Sequence, residues 1–266
     1  MAVKALGHAV WMALFAALLT VVTGAVWSGL FLSNLKVRPD IPWAAAVMAA
    51  IAVLLWWLVG GSGARSSYRR ANPVPPRKFI LAVTASGACI AALAGLWIVL
   101  VESTGVSGNS ADFSHLPKVT LITSLMMAAL VGGVFEEAGF RGYFQGTLER
   151  HMPWMLAVLL CAIVMAPLHA ATQGFVWQVI VFYLLADIAF GTSAALTNSV
   201  LPGIVVHTAG LFVFFAFIWP MDKTRQMMAA TTPGLWFWIH TAQTAVFGAI
   251  GIGLFSRLAR ERQIFM

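Results

Sequence analysis

The sequence predicts an all-α protein, a polytopic transmembrane helical bundle of about eight spans. Of its 266 residues, 61% are hydrophobic and only 9% are charged, and the mean hydropathy is +0.88. Apolar runs of about 18 or more residues recur along the chain, and each can cross a hydrocarbon core of ~30 Å at ~1.5 Å per residue. The runs are long and uniformly apolar rather than short and alternating, which favours helices over a barrel.

The spans follow one another along the whole chain. They are predicted at about 8–33, 41–60, 79–101, 119–148, 153–170, 174–191, 196–219 and 234–256. The fourth and fifth are joined near His151, so we expect them to form a helical hairpin. Cys89 and Cys161 both fall inside spans, where a small apolar role is expected rather than a disulfide or a metal pair.

The lysine and arginine residues predict the orientation. Ten lie on the side that we assign to the cytoplasm: Lys4, Arg65, Arg69, Arg70, Arg77, Lys78, Arg150, Arg257, Arg260 and Arg262. Five lie on the other side: Lys36, Arg38, Lys118, Lys223 and Arg225. By the positive-inside rule, both termini and the 61–78 loop are cytoplasmic and the 102–118 loop is external. The net charge of +7 is then a topology signal that implies contact with anionic membrane lipid and no nucleic acid.

Three charges interrupt the fourth span, in the stretch VFEEAGFRGYF at 134–144. A carboxylate near the middle of a bilayer costs ~2.5–3.5 kcal/mol, so such residues normally face a polar interior and have a partner. Glu137 and Arg141 are four residues apart on a helix and can form an ion pair. Glu136 lies ~100° further round the helix, and a purely structural ion pair accounts for it less well.

Two histidines are predicted at a similar depth. Measured from the turn near His151, Glu137 lies ~21 Å away along the fourth span and His169 ~27 Å away along the fifth. His207 lies ~17 Å into the seventh span, which rises from the same side of the membrane. Pro167, in the segment VMAPLHA, removes a backbone donor next to His169 and can kink or open that helix. The sequence therefore predicts a shared intramembrane site.

These motifs resemble those of the CAAX-protease and bacteriocin-processing intramembrane peptidases, also called the type II CAAX prenyl endopeptidase or abortive-infection family. The family pattern begins with Glu-Glu-x-x-x-Arg, which Glu136, Glu137 and Arg141 match completely. Its second motif is Phe-x-x-x-His, where His169 matches and Met165 replaces the phenylalanine.

The third family motif is His-x-x-x-Asn, which His207 matches while Leu211 replaces the asparagine. The resemblance covers about residues 119–219. It implies a catalytic core at 119–219, preceded by N-terminal transmembrane helices and the cytoplasmic basic loop at 1–118. A C-terminal transmembrane helix and basic tail follow at 220–266. The expected location is a bacterial inner (plasma) membrane.

The resemblance implies a glutamate-dependent endopeptidase that needs no cofactor. Glu136 and His169 would activate a water that attacks a peptide carbonyl, and His207 would stabilise the oxyanion. Glu137 and Arg141 would support the site. The implied substrates are membrane-associated peptides or proteins. They include a prenylated CAAX protein, a peptide to be matured or degraded, and a membrane protein cleaved for regulation.

Two alternatives remain open. Leucine at position 211 donates no hydrogen bond, so the chain could instead be a non-catalytic family member that acts as a membrane scaffold or immunity-type partner. Thr208 and Asn198 are the candidate replacement donors. The other alternative is a zinc metalloprotease that uses Glu136, His169 and His207 as ligands.

One further acid lies in the sixth predicted span. A transporter with a proton path through Asp187 ranks lower, because no paired discontinuous helices are evident. We expect Asp187 to cap the membrane interface near the cytoplasmic end of its span.

Overall fold

The computed structural model of the protein describes residues 2–105, 116–224 and 233–263. These residues are overwhelmingly helical, and none of them is in a β-strand. The α-helices are α1 (Ala2–Val37), α2 (Trp43–Gly60), α3 (Gly63–Arg69), α4 (Pro76–Thr104), α5 (Lys118–Glu136), α6 (Gly146–Leu148), α7 (Trp154–Gln173), α8 (Trp177–Thr197), α9 (Leu201–Val213) and α10 (Leu235–Gln263). A π-helix, Glu137–Gln145, joins α5 to α6 without a break, and a second, Phe214–Ile218, continues α9 into a 3₁₀-helix, Trp219–Thr224.

Eight of these helical segments are long and apolar enough to cross a membrane, so the all-α, eight-span prediction is confirmed. The protein is an integral multi-pass membrane protein. Its spans agree with the predicted ones to within a few residues at most ends, including the hairpin turn between Leu148 and Trp154. Residues 106–115 of the predicted external loop, and Arg225, lie outside the described residues.

Prolines fix where several helices begin. Pro76 and Pro202 occupy the first turns of α4 and α9, where the missing backbone N–H would have had no helical partner. Pro117 and Pro153 immediately precede α5 and α7. Along α7 the helix instead continues through Pro167 to Gln173. These prolines therefore define the residue at which each helix begins, and so how far along the helix each later side chain lies.

Two glycines bring the π-helix Glu137–Gln145 close to its neighbours. A Cβ atom on Gly142 would lie 2.5 Å from the carbonyl oxygen of Arg69, and one on Gly139 would lie 3.3 Å from the backbone of Ala16. Larger residues would push α3 and α1 away from the π-helix. Every residue of the π-helix is buried, so this segment lies inside the bundle.

A polar latch closes one end of the bundle; we use this name for Arg70, Asn72, Gln145, Glu149 and Asn198. Arg70 donates two hydrogen bonds to the Glu149 carboxylate, at 3.0 and 2.8 Å, and a third to Asn198 Oδ1 at 3.1 Å. Gln145 donates to Glu149 at 2.8 Å, and Asn72 donates to the Asn198 carbonyl at 2.7 Å. The latch joins the segment before α4, the end of the π-helix and the α8–α9 turn.

Arg70 also corrects the interpretation of the basic loop. Arg70 is only 5% exposed, and its charge is paired with Glu149. The backbone turns at Arg70, which has the left-handed conformation with φ 60°. Arg70 therefore does not contact lipid headgroups, although it still counts toward the distribution of basic residues.

Candidate functional site

The two glutamates lie where the helix changes its winding. Glu136 is the last residue of α5, and Glu137 is the first residue of the π-helix. π-Helical turns are rare and occur often at functional sites. The Glu-Glu-x-x-x-Arg motif thus begins at the end of an α-helix and continues into a π-helix whose residues are all buried.

Glu137 and Arg141 form the expected ion pair. Arg141 Nε lies 3.6 Å from Glu137 Oε1, and both side chains are almost completely buried. The second carboxylate oxygen, Oε2, lies against Gly203, where an added Cβ would be only 2.6 Å away. Gly203 is in the first turn of α9, where the helix dipole favours a negative charge. Glu137 thus joins the π-helix to α9.

Asp187 is the second acidic partner of Arg141, and the expectation that it caps the membrane interface is wrong. The residue is 3% exposed, and its Oδ1 accepts a hydrogen bond from Arg141 Nη2. The reason is that α8 continues to Thr197, which places Asp187 roughly 15 Å from the helix end at ~1.5 Å per residue. The sequence did contain a signal for this role, since an acid inside a span is by default a candidate site residue.

Met165, at the position of the family phenylalanine, also contacts Arg141. Its sulfur lies 2.7 Å from Arg141 Nη1 and accepts a hydrogen bond from it. The guanidinium therefore meets groups from three elements: Glu137 on the π-helix, Met165 on α7 and Asp187 on α8.

Glu136 lies between the two predicted histidines. Its Oε2 is 3.7 Å from His169 Nε2 and 3.7 Å from His207 Nε2. This oxygen has no hydrogen-bond partner in the described part of the chain. The structure thus brings together all three residues predicted to carry the chemistry, from α5, α7 and α9.

His207 contacts both glutamates. Its Nδ1 lies 3.0 Å from Glu137 Oε1, within hydrogen-bond distance. An ionised carboxylate can only accept a hydrogen bond. Because Glu137 is paired with Arg141, we assign the proton of this contact to His207 Nδ1. His207 Nε2 then faces Glu136.

Aromatic rings hold both histidines in place. His169 stacks on Tyr183, with 4.0 Å between ring centroids and an interplanar angle of 12°. His207 stacks on Phe190 at 4.4 Å and 16°. Both aromatic residues come from α8, which fixes the imidazole planes and leaves their edges to face Glu136.

A cavity of about 370 Å³ adjoins these groups. Both histidines line it, together with Tyr183, Asp187 and Leu211, and most of the remaining wall is apolar. Glu136 is not part of the wall, but its Oε2 lies 3.7 Å from the Nε2 atom of each of these two histidines. The cavity can therefore hold an apolar group next to the ionisable cluster.

Leu211 stands at the edge of this cavity. Its Cδ1 and Glu136 Oε1 both approach Gly132, at 2.9 and 3.6 Å from where a Cβ would be. Of the two alternative donors, Asn198 is bonded to Arg70 and Asn72 in the polar latch. Thr208 Oγ1 lies against Gly133 and has no hydrogen-bond partner among the described residues.

The described ranges contain no group of three or more His, Cys, Asp or Glu side chains arranged to hold a metal ion. Cys89 and Cys161 are free thiols. The set named for zinc, Glu136 with His169 and His207, has both nitrogens 3.7 Å from one carboxylate oxygen.

Comparison with known proteins gives one finding for the core of the chain. Residues 118–213 match the family model described as "Type II CAAX prenyl endopeptidase Rce1-like". This confirms the resemblance derived from the three motifs, all of which fall within the matched residues. No curated protein and no solved structure matches the chain.

Proposed function

Because residues 118–213 match the family model of Rce1-like type II CAAX prenyl endopeptidases, we propose that the chain is an intramembrane endopeptidase with Glu136 as its base. One observation carries this proposal: Glu136 Oε2 lies 3.7 Å from the Nε2 atoms of both His169 and His207, beside the cavity. At this spacing a direct hydrogen bond is too long. The carboxylate oxygen is positioned to accept a proton from a water.

The reaction is a hydrolysis of a peptide bond. Glu136 takes a proton from water while the water oxygen attacks the carbonyl carbon, with His169 orienting the attack. The carbonyl oxygen becomes an oxyanion, and the C–N bond then breaks as the proton passes from Glu136 to the leaving amine. One water is consumed, and one carboxylate and one amine are formed.

His207 stabilises the oxyanion through Nε2. This role requires a proton on Nε2 in addition to the one on Nδ1, so the ring acts as an imidazolium. The Glu137 carboxylate, 3.0 Å from Nδ1, supports that cation, much as a buried carboxylate orients the histidine of a serine protease. Preorganised donors of this kind supply a large part of the rate of hydrolases.

The substrate is a membrane-associated peptide or protein, because the site lies within the spans and its cavity wall is mainly apolar. A prenylated CAAX protein, a peptide to be matured or degraded, and a membrane protein cleaved for regulation all fit this description. We place both termini and the 61–78 loop in the cytoplasm of a bacterial cell, on the distribution of basic residues.

Leu211 favours a second candidate, a family member that has kept the fold and lost hydrolysis. Its side chain lines the cavity and stands at the motif position of the family asparagine. In that case the chain serves as a membrane scaffold or immunity-type partner. A zinc metalloprotease with the same three residues ranks third.

The experiment uses purified protein in liposomes and a library of membrane-proximal peptides. We expect wild type to cleave a subset, with cleavage unchanged by a chelator. Loss of cleavage under chelation would support the zinc alternative. A folded wild-type protein that cleaves no peptide would contradict the peptidase and favour the scaffold.

A further inference from the structure

Arg141 contacts two of the three acids in and around the motif. It is paired with Glu137 and Asp187, and no ion pair between Arg141 and Glu136 occurs among the described residues. Glu136 is nevertheless next to Glu137 in the chain, in the same continuous helical segment.

We propose that Asp187 is a positioning residue that draws Arg141 away from Glu136. This inference rests on the proposed function, because it explains how Glu136 stays available as a base. Nothing in the family motifs names position 187, and the residue acts through Arg141 rather than by touching the reacting atoms.

A guanidinium paired with Glu136 would interfere with the role of Glu136 as a base. Arginine forms strong, geometrically fixed pairs with carboxylates. A pair with Glu136 would stabilise its ionised form and hinder proton uptake from water. Arg141 must therefore be held on one side if Glu136 is to act.

The contacts of Arg141 show how its guanidinium is held. Asp187 Oδ1 and Met165 Sδ each accept from one of the two Nη atoms. They belong to α8 and α7, and Glu137 completes the set through Nε, at 3.6 Å. The guanidinium is thereby held by hydrogen bonds at both Nη atoms, while Nε makes only the longer ion-pair contact with Glu137 and no hydrogen bond in the described part of the chain.

A second buried carboxylate at Arg141 carries a cost in folding free energy. Two buried carboxylates share a single guanidinium here, and a buried ion pair is often no more stable than an apolar replacement. One carboxylate would suffice to neutralise Arg141. A second one, Asp187, with its Oδ2 lacking a hydrogen-bond partner in the described part of the chain, is better explained by control of where Arg141 points.

The primary test is the structure of the Asp187→Asn variant, which keeps the side-chain volume and removes the charge. We expect the Arg141 guanidinium to move to within about 4 Å of a Glu136 oxygen, the range of an ion pair. If the guanidinium stays with Glu137 and Met165, the proposal is wrong. This readout needs no activity, so it stands even if the wild type cleaves nothing.

Kinetics provide the second test. Asp187→Asn should lower kcat about ten- to hundredfold with KM nearly unchanged, and Asp187→Glu should restore most of it. The matched control is Glu149→Gln, which removes a buried acid from its arginine in the polar latch and should leave kcat per folded molecule as in wild type. Equal kcat in Asp187→Asn and wild type would overturn the proposal.

A milder variant covers the case in which Asp187→Asn does not fold. Met165→Leu has a similar volume, leaves every charge in place and removes only the sulfur acceptor of Arg141. We expect a smaller fall in kcat, of several-fold, again without a change in KM. Unchanged kcat in a folded Met165→Leu variant whose Arg141 has moved to Glu136 would overturn the proposal.

Discussion

His207 hydrogen-bonds Glu137 through Nδ1 at 3.0 Å, while its other nitrogen faces the neighbouring Glu136 at 3.7 Å. One imidazole therefore touches two adjacent acids in different environments. Glu137 is completely buried and paired with Arg141, whereas the Glu136 side chain is 13% exposed. Two carboxylates in unlike surroundings are suited to different roles.

The buried pair should be needed for folding. Arg141→Ala leaves Glu137 and Asp187 without their cation, and Glu137→Ala leaves Arg141 with one acid fewer. Removing one partner of a fully buried pair costs ~3–5 kcal/mol, so both variants should give less folded protein and a lower Tm in detergent. Arg38→Ala, which breaks the exposed pair with Asp40, is the control and should behave as wild type. Normal folding of both buried variants would remove this structural role.

Leu211→Asn should raise turnover if the site is a peptidase that lacks one donor. The amide would lie one turn beyond His207, at the cavity edge near Glu136. The gain is bounded by the ~2.7–4 kcal/mol of a single preorganised donor, while an unsatisfied buried amide costs ~1–3 kcal/mol of stability. Turnover and Tm of the purified variant measure both effects. The double variant with Glu136→Gln should be inactive; if it also gains activity, the asparagine acts by another route.

The polar latch should stabilise the bundle without taking part in chemistry. Arg70→Asn tolerates the left-handed backbone at this position but removes the charged hydrogen bonds to Glu149. Bonds to charged groups contribute about 1.5–3 kcal/mol, so we expect a measurable fall in Tm. Arg77→Ala, which breaks a largely exposed contact with Glu261, should have little effect. Equal Tm values for the two variants would contradict the role of the latch.

Cysteine labelling tests the orientation. Ser67 is exposed in α3, and Asp40 is exposed in the loop between α1 and α2. With the native cysteines replaced, a membrane-impermeant thiol reagent added outside intact cells should label Asp40→Cys and spare Ser67→Cys. The reverse pattern would invert the predicted topology.

Hydropathy predicted most of the fold, because a bilayer allows only helices that satisfy their own backbone. Motif spacing predicted the convergence of Glu136, His169 and His207, since depth along rigid helices follows from residue number. The chemical roles of these residues, and the division of the chain at 118 and 219, stay predictions.

The features that sequence analysis missed depend on packing between distant segments. The π-helix cannot be predicted from α-helical spacing, because its i→i+5 hydrogen bonds depend on the local backbone rather than on a pattern of residue types. Asp187 was misplaced because the predicted span ended at 191, six residues before α8 does at Thr197. Arg70 was interpreted as a loop charge, since nothing local reveals a partner as distant as Glu149.

The most direct test of the account is the activity of Glu136→Gln on a peptide that wild type cleaves. The amide keeps the shape of the side chain but cannot accept the proton of water. We expect Tm to stay near that of wild type and cleavage to vanish, while Glu261→Gln, a control at an acid in α10, keeps full activity. Equal cleavage by Glu136→Gln and wild type would contradict the assignment of Glu136 as the base.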